Sequence, residues 1–301
     1  MSSNSWATSP AMEKQDLTTL PLSCNNHTRL VLSHSVSAGV NPLGAEYLTR
    51  AGYRLRLGQG EKALEWKRFL SLGGQVRLST NYAAGGPLVE WQPLAAFNLR
   101  AVVEGVGVFG TFGQLQSYRS PLDEYSDALR KANAASAYAT TGWHALLQPT
   151  LQARVGRVAV QSVTSLDYRE LSLRDGDSVW YEAGPDSLVP ARGWTLTENI
   201  TLSYLAGPLR LGTALRYFLP LYAPEHLRAG EQASVGLNSN LRLGLLATYD
   251  LPEDGGSLIH KPRVSLRAQW YLIHRYRTGA EVSQAMPSVG LSFSFQQDFV
   301  L

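Results

Sequence analysis

Residues 209–219 read LRLGTALRYFL, and their side chains alternate in character along the chain. One set of alternate positions is almost entirely apolar, whereas the other includes Arg210, Gly212 and Arg216. Successive side chains of a β-strand point to opposite faces of the sheet, so this stretch is predicted to be a strand with one apolar and one polar face. The stretches 68–80 and 241–249 repeat the pattern.

The composition narrows the class of protein that such strands can build. The chain has 301 residues, of which 44% are hydrophobic and 17% charged, and it contains one cysteine. These values exclude a disordered chain and a disulfide framework. The net charge of +3 is too small to indicate a nucleic-acid partner. A mean hydropathy of −0.13, with no apolar run near the roughly 18 residues of a spanning helix, excludes a helical membrane protein but is compatible with membrane strands.

The two-residue period continues from Thr28 through most of the chain, and short turns alternate with long polar connections. We therefore predict an all-β fold, a single closed antiparallel transmembrane β-barrel over residues 28–301. About 12–14 strands are expected, with 14 as the best count, short periplasmic turns and longer extracellular loops. The expected strands are 28–40, 45–57, 68–80, 87–93, 97–113, 143–154, 157–171, 193–205, 208–220, 231–238, 241–250, 257–261, 264–275 and 285–295. The expected short turns are 94–96, 155–157, 206–208 and 238–240, and the long connections are 114–142, 174–193, 221–230 and 251–256.

Three further segments are expected to lie outside the barrel wall. Residues 177–183 look extended but are placed in a loop, because counting them as a wall strand would reverse the next strand. Residues 121–137 have the composition of a short helix at the mouth of the barrel. Residues 1–27 are predicted to be a disordered periplasmic segment; no secretory signal pattern is visible there, and Cys24 is interpreted as a free thiol rather than a lipidation site.

The segment Ser288–Phe295 carries a glycine at Gly290 and aromatic residues at Phe293 and Phe295 on one face. This arrangement resembles the final-strand assembly signal of bacterial outer-membrane β-barrels of the porin-like class. The resemblance implies a location in the bacterial outer membrane, with membrane lipid and the barrel assembly machinery as partners. Tryptophans near the ends of strands are expected to form interfacial girdles: Trp66, Trp91, Trp143, Trp194 and Trp270.

Arginines flanked by apolar residues are the most distinctive local feature of the sequence. Alternation directs them into the lumen, and we expect them to lie at a similar height and to contact solute. The set comprises Arg56, Arg77, Arg100, Arg154, Arg210, Arg242 and Arg267. The same parity directs Arg29, Arg50, Arg54 and Arg216 inward, and Arg216 is included among the eight candidate solute-binding residues. Inward carboxylates are fewer, namely Glu46, Glu90, Glu104, Asp167 and Asp250. A lumen with excess positive charge attracts anions. The competing interpretation is that these arginines pair with the carboxylates and fill a narrow barrel, or meet lipid phosphates.

The predicted function is therefore a passive channel for small anionic or polar solutes. The first alternative is a closed structural or interaction barrel that works through its extracellular loops. The second is an outer-membrane lipid hydrolase, since His34 is followed by Ser35 and Ser37 and lies on the outward face, as does Glu198. The His-x-Ser spacing of such hydrolases is missed by one residue, so we expect no enzyme activity. Histidines without ligand spacing, and the lack of a phosphate loop, predict no metal and no cofactor.

Overall fold

The computed structural model describes residues 28–57, 68–253, 259–279 and 285–300. Twelve strands close into one antiparallel barrel. The wall strands are β1 (Thr28–Val40), β2 (Gly44–Arg56), β3 (Phe69–Ser79), β4 (Tyr82–Leu94), β5 (Phe97–Val108), β7 (Thr140–Val155), β8 (Val158–Leu171), β11 (Arg192–Ala206), β12 (Leu209–Leu221), β13 (Asn240–Asp250), β14 (His260–Ile273) and β15 (Ser288–Val300). Three short strands outside the wall are β6 (Ser117–Tyr118), β9 (Val179–Glu182) and β10 (Ser187–Pro190).

Each wall strand pairs with its neighbour in the wall, and β1 closes the barrel against β15. The connections 95–96, 156–157 and 207–208 lie at the end where β1 begins, which we call the short-turn end. The connections 109–139, 172–191, 222–239 and 274–287 lie at the opposite end, which we call the long-loop end. Three predicted short turns and three predicted long connections thus lie at opposite ends, which agrees with a two-sided barrel. The short connections 41–43 and 80–81 also lie at the long-loop end.

The outer surface is apolar, as the alternating pattern predicts. Leu245 and Leu291 expose 61% and 54% of their surface, whereas the inward-facing Gln75 exposes 5%. Wide apolar exposure of this kind on every wall strand fits a barrel surrounded by lipid. Among the described residues, no helix is long and apolar enough to cross a membrane.

Aromatic side chains mark both edges of the apolar surface. Near the long-loop end, the ring of Tyr168 lies between Trp143 and Trp194, with centroids 5.3 and 5.1 Å away. Near the short-turn end, Trp91 packs edge-on against Phe97. This placement agrees with the interfacial girdles expected from the sequence. Trp66, together with residues 1–27 and Cys24, lies outside the described residues.

The strand count is at the low end of the predicted range rather than at 14. Residues 231–238 are not a strand; they belong to the loop between β12 and β13, where Gly236 and Asn238 adopt positive φ. The predicted strand 257–261 lies partly outside the described residues, and its described end belongs to β14, because His260 and Lys261 begin that strand and a register shift follows between His260 and Arg263. The predicted turn 238–240 is consequently wrong, and the connection 251–259 lies at the short-turn end.

Long loops fold into the mouth of the barrel. Strands β6, β9 and β10 form a small sheet, so residues 177–183 are extended but lie outside the wall, as predicted. Helix α1 (Asp127–Ala132) lies within the predicted helical segment, and the side chain of Ser126 caps it. We call residues 114–125 and 178–191 the plug. Leu115, Trp180 and Val189 of the plug pack on inward-facing wall residues that include Phe218, so the plug is held in the lumen by a hydrophobic core.

Candidate functional site: the barrel lumen

The lumen is lined by small side chains on one side. From the middle of the barrel to the long-loop end, the inward-facing residues of two adjoining strands are serine and glycine. On β1 they are Ser33, Ser35, Ser37 and Gly39, and on β15 they are Ser288, Gly290, Ser292 and Ser294. We call these residues the serine–glycine wall. Because they project little into the lumen, they leave space in front of them.

A cavity of about 400 Å³ lies against this wall, within the size range of small-molecule sites. Ser33, Ser35 and Ser294 contribute to its lining on one side. Three further strands contribute a lysine, Lys261, and four arginines to its lining, and Glu90 is the carboxylate among them. The arginines are Arg50, Arg54, Arg100 and Arg263. We call it the basic cavity.

Two of the four arginines in the basic cavity are neutralised by carboxylates. Arg100 lies 3.2 Å from Glu90, and Arg263 lies 2.6 Å from Asp250. Arg50 instead donates to the amide oxygen of Gln75 at 3.0 Å. The guanidinium group of Arg54 lies 4.0 Å above the ring of Phe69. Among the described residues, neither Arg50 nor Arg54 forms an ion pair, so the cavity keeps net positive charge.

A polar network crosses the lumen next to the cavity. Glu104 has no exposed surface and accepts hydrogen bonds from Gln75 at 2.8 Å and from Arg77 at 2.7 Å. His144 lies 3.0 Å from Glu104 and 3.4 Å from Asp167. A buried carboxylate is costly unless it is paired and hydrogen-bonded, and Glu104 meets both conditions. Arg77 is therefore engaged in an ion pair with a buried carboxylate, as the competing interpretation expected.

The tip of the β9–β10 hairpin fixes the plug to the wall. Asp186, at φ 58°, exposes 1% of its surface. Its carboxylate accepts hydrogen bonds from Tyr181 at 2.6 Å, Tyr271 at 3.0 Å and Arg277 at 2.9 Å. Burial opposes its ionisation, but these bonds and the charge of Arg277 hold the pKa of Asp186 below its ordinary value. Asp186 is therefore an ionised anchor between the plug, β14 and the loop that follows β14.

His274, which directly follows β14, contacts the same tip. Its Nε2 lies 2.7 Å from the carbonyl oxygen of Asp186, and its Nδ1 accepts from the backbone N–H of Tyr276 at 2.9 Å. One nitrogen thus donates and the other accepts, which is the bonding of a neutral imidazole. Burial lowers the pKa of His274, although the Asp186 carboxylate 3.4 Å away opposes this shift.

A groove of about 300 Å³ opens beside the plug at the long-loop end. The short β1–β2 turn contributes Asn41, Pro42 and Leu43 to its rim, and the plug contributes Tyr181 and Ala183. The groove and the basic cavity therefore both adjoin β1 and β2. On this side of the barrel the connections 41–43 and 80–81 are too short to cover the mouth.

The eight predicted arginines belong to inward-facing positions, but they do not share one level. Arg210 is the second residue of β12 at the short-turn end, whereas Arg242 is the third residue of β13 at the long-loop end. Arg56, Arg100 and Arg154 lie near the short-turn end, while Arg77 lies near the other. The expectation that these arginines lie at a similar height is thus wrong for the whole set, because the antiparallel neighbours β12 and β13 carry the same tripeptide at opposite ends. Their contact with solute stays a prediction.

Pairing is also unequal among these arginines. Arg77, Arg100 and Arg210 form ion pairs with Glu104, Glu90 and Asp250. Arg154 donates to the carbonyl oxygen of Gly156 in its own turn. Arg216 and Arg242 lie opposite each other on β12 and β13, and Arg267 lies on β14 opposite Leu246. Each strand places one of these arginines on its inward face.

Sequence reasoning assigned Arg50 and Arg54 to the lumen but did not select them as site residues, and it missed Asp186 and Glu182. The alternation of side chains along β2 places both arginines on the lumen face, and this was sufficient to include them among the candidate site residues. The plug residues carried only a weak signal, the turn-forming sequence Gly184-Pro185-Asp186. Glu182 pairs with the inward-facing Arg169, so the plug itself brings carboxylates into the lumen.

The residues considered for lipid hydrolysis are not brought together. His34 and Glu198 both face outward, but they lie on β1 and β11, which are separated by four wall strands. Ser35 and Ser37 face the lumen, and His34 Nδ1 instead contacts Tyr47 at 2.9 Å and Thr49 at 3.1 Å. Glu198 accepts hydrogen bonds from Ser162 and Thr164. The structure therefore gives these residues partners within the wall and no shared site.

The residues of the assembly segment lie on β15, which continues to Val300. Phe293 faces outward with Leu291, as predicted, and Gly290 faces the lumen opposite Gly39. Phe295 stacks on His34 at 4.8 Å, at the middle of β1 rather than at its end. Phe299, opposite Leu30, is the outward aromatic residue at the short-turn end.

No protein-family model matches the sequence, and no curated protein matches it either. Among solved structures, the chain is similar to the KdgM porin, at 10% identity and a TM-score of 0.35, over 90% of this chain and 99% of that chain. It is also similar to the translocator domain of the autotransporter NalP from Neisseria meningitidis, at 11% identity and a TM-score of 0.37, over 96% and 94% of the two chains. A third structure is OccAB1 from Acinetobacter baumannii, at 12% identity and a TM-score of 0.38, over 91% and 74%.

The class follows from the barrel itself, which has a closed antiparallel register, an apolar outer surface and turns separated from loops. The chain has the architecture of a bacterial outer-membrane β-barrel, with no individual member identified.

Proposed function

We propose that the protein is an outer-membrane channel that passes small anionic or polar solutes between the plug and the serine–glycine wall. The observation that carries this proposal is the basic cavity, which lies in the lumen against that wall. Its size suits a small solute, and two of its four arginines lack a carboxylate partner among the described residues. A passive channel also needs no cofactor and no catalytic group.

The proposed path has a physical reason to favour anions. Guanidinium groups stay ionised at any physiological pH, so the charge of Arg50 and Arg54 persists. In a narrow aqueous lumen with low-dielectric walls this charge raises the local concentration of anions and lowers that of cations. Salt weakens the effect, since the Debye length is only about 8 Å near physiological ionic strength.

The test is the reversal potential of the purified protein in a planar bilayer under a KCl gradient. The parent is expected to prefer chloride, and the double variant Arg50→Gln with Arg54→Gln is expected to lose most of that preference. Arg157→Gln is the matched control, because Arg157 lies in a turn outside the lumen and bonds Tyr204 on the outer surface. Cation preference in the parent, or equal reversal potentials in the parent and the double variant, would contradict the proposal.

A second candidate function is a closed barrel that works through its loops. The plug favours this reading, because Leu115, Val179 and Leu188 have no exposed surface and its tip is anchored by Asp186. Absence of conductance from correctly folded protein would support the closed barrel over the channel.

We further propose that outward aromatics of β15 act in assembly by the barrel assembly machinery. Two candidates end the outward row, Phe295 and Phe299, and only Phe299 lies at the short-turn end. If the assembly machinery recognises the end of the strand, Phe299→Ala should lower the yield of heat-modifiable barrel in outer membranes. This loss should exceed that of Phe293→Ala combined with Phe295→Ala. The reverse order would assign the signal to the segment around Gly290.

A further inference from the structure

Three arginines on adjoining strands face the lumen without a carboxylate partner among the described residues. Arg216 and Arg242 are direct cross-strand partners on β12 and β13. Arg267 lies on β14 opposite Leu246, four residues toward the short-turn end from Tyr271, the β14 partner of Arg242. The charge of Arg242 acts on both Arg216 and Arg267. Like charges placed opposite each other on a sheet repel and destabilise the pair. The protein nevertheless concentrates three of them on adjoining strands.

The partners of these arginines are neutral. Arg242, which exposes only 3% of its surface, donates to the carbonyl oxygen of Pro185 at 2.9 Å and lies 4.4 Å above the ring of Tyr271. In all three arginines the Nε atom is buried without a hydrogen-bond partner. No ion pair found in the described ranges includes any of the three.

The carboxylates that approach the group are already engaged. Glu182 acts on Arg216, but it pairs with Arg169. Asp186 pairs with Arg277 and accepts from two tyrosines. Among the described residues, no carboxylate pairs with the three arginines, whereas Arg77, Arg100 and Arg210 of the same lumen form ion pairs.

We propose that Arg216, Arg242 and Arg267 bind an oxyanion beneath the tip of the plug. The planar fork of a guanidinium group matches the oxygen atoms of a carboxylate, sulfate or phosphate in two-point hydrogen bonds. Arg216 and Arg267 are only partly buried, so their outer nitrogens remain accessible from the lumen. Arg242 also holds the carbonyl of Pro185, so the bound anion stabilises the seated plug. The site is separate from the basic cavity, and binding there does not require transport.

Sulfate is the probe, and the purified full-length protein in a non-ionic detergent is the sample. Sulfate is expected to raise the unfolding temperature in a saturable manner beyond chloride at matched ionic strength, as a ligand of the folded state does. The variant Arg216→Gln with Arg267→Gln should lose this saturable shift. Sulfate also stabilises proteins in general by exclusion from their surface, and that part should be the same in all variants. Arg192→Gln is the matched control, because Arg192 is largely exposed and pairs with Glu170.

An identical sulfate response in the parent and the double variant would overturn the site. If the double variant does not fold, Arg267→Gln alone replaces it, and calorimetric titration with sulfate should show weaker binding than in the parent. Equal binding would again overturn the site. The two proposals separate cleanly: sulfate binding without conductance refutes the channel alone, and conductance with no sulfate-specific difference refutes this site alone.

Discussion

The two sides of the lumen differ in what their inward-facing side chains do. On β12, β13 and β14 these side chains include Phe218, Arg242 and Tyr271, each of which contacts the plug. On β1 and β15 they are serine and glycine from the middle of the barrel to the long-loop end, and the basic cavity lies against this wall. The outward faces of the two sides are alike, since both carry apolar residues. Only the inward row distinguishes the side that holds the plug from the side that leaves space.

This difference explains how the plug fills one side of the lumen of a twelve-stranded barrel and leaves space on the other side. The plug is held by partners on one side, so its position is set by those partners rather than by the volume of the lumen. Small residues opposite it then determine what space remains. Mutations can test each side of the lumen, either by loosening the plug or by filling the space in front of the serine–glycine wall.

Loosening the plug should have the largest effect. In Asp186→Ala, Tyr181 and Tyr271 lose an acceptor and Arg277 loses one of its two carboxylate partners. Breaking a buried charged pair costs about 3–5 kcal/mol, so the hairpin should detach locally. Conductance is expected to rise several-fold, and amide exchange over residues 179–190 should accelerate. Asp175→Ala, an exposed acid in the same loop, is the control. Unchanged exchange in Asp186→Ala would mean that the apolar core alone holds the plug.

Filling the space should have the next largest effect. Ser292 faces the lumen from β15, opposite Ser37 and Ser265, so Ser292→Trp places a large ring in the proposed path. Single-channel conductance is expected to fall several-fold without loss of the folded barrel. Leu291→Trp is the matched control, because the neighbouring residue is exposed on the outer surface, where tryptophan is tolerated. Equal conductance in the two variants would show that solutes do not pass along the serine–glycine wall.

Alternation alone gave the face of each residue, and the facing of Arg77, Arg216 and Leu245 agrees with it. A period of two is a local property, because each side chain points opposite to its neighbour whatever the tertiary fold. The level of a residue along the barrel is not local. Arg210 and Arg242 share the tripeptide Leu-Arg-Leu, yet antiparallel pairing places them toward opposite ends. An incorrect turn at 238–240 was enough to misplace one of them.

The plug anchor lay beyond sequence reasoning for a related reason. Tyr271 and Arg277 follow Asp186 by 85 and 91 residues, and nothing in the hairpin sequence identifies these partners. The positive φ of Asp186 fits a turn-forming residue, which predicts a turn but not a buried carboxylate. The facing of the arginines in the basic cavity was predictable, because alternation assigns them to the lumen. Their pairing was not, because the absence of carboxylate partners for Arg50 and Arg54 depends on neighbours across the sheet.

Mild acid should loosen the plug by a smaller amount. Burial lowers the pKa of His274, so the imidazole is neutral in the folded protein and titrates at a higher pH once it is released. The contribution of neutral His274 to the stability of the folded state is therefore complete above the unfolded-state pKa of about 6.5. It declines as the pH falls below that value, by at most about 1.4 kcal/mol per pH unit. Asp186, Arg277 and Arg242 are the charged groups that act on this histidine.

The measurement for this prediction is amide exchange over residues 179–190 between pH 7.5 and 5, corrected for the intrinsic rate. Exchange in the parent should accelerate on acidification, because protonated Nδ1 no longer accepts from the N–H of Tyr276. His274→Gln does not titrate and should flatten the dependence, while Asp186→Ala should exchange quickly at every pH. His226→Gln is the control, since His226 contacts the backbone of Arg192 instead of the plug tip. If the parent and His274→Gln show the same pH profile, His274 does not couple pH to the plug, and the acid response belongs to other groups at the mouth.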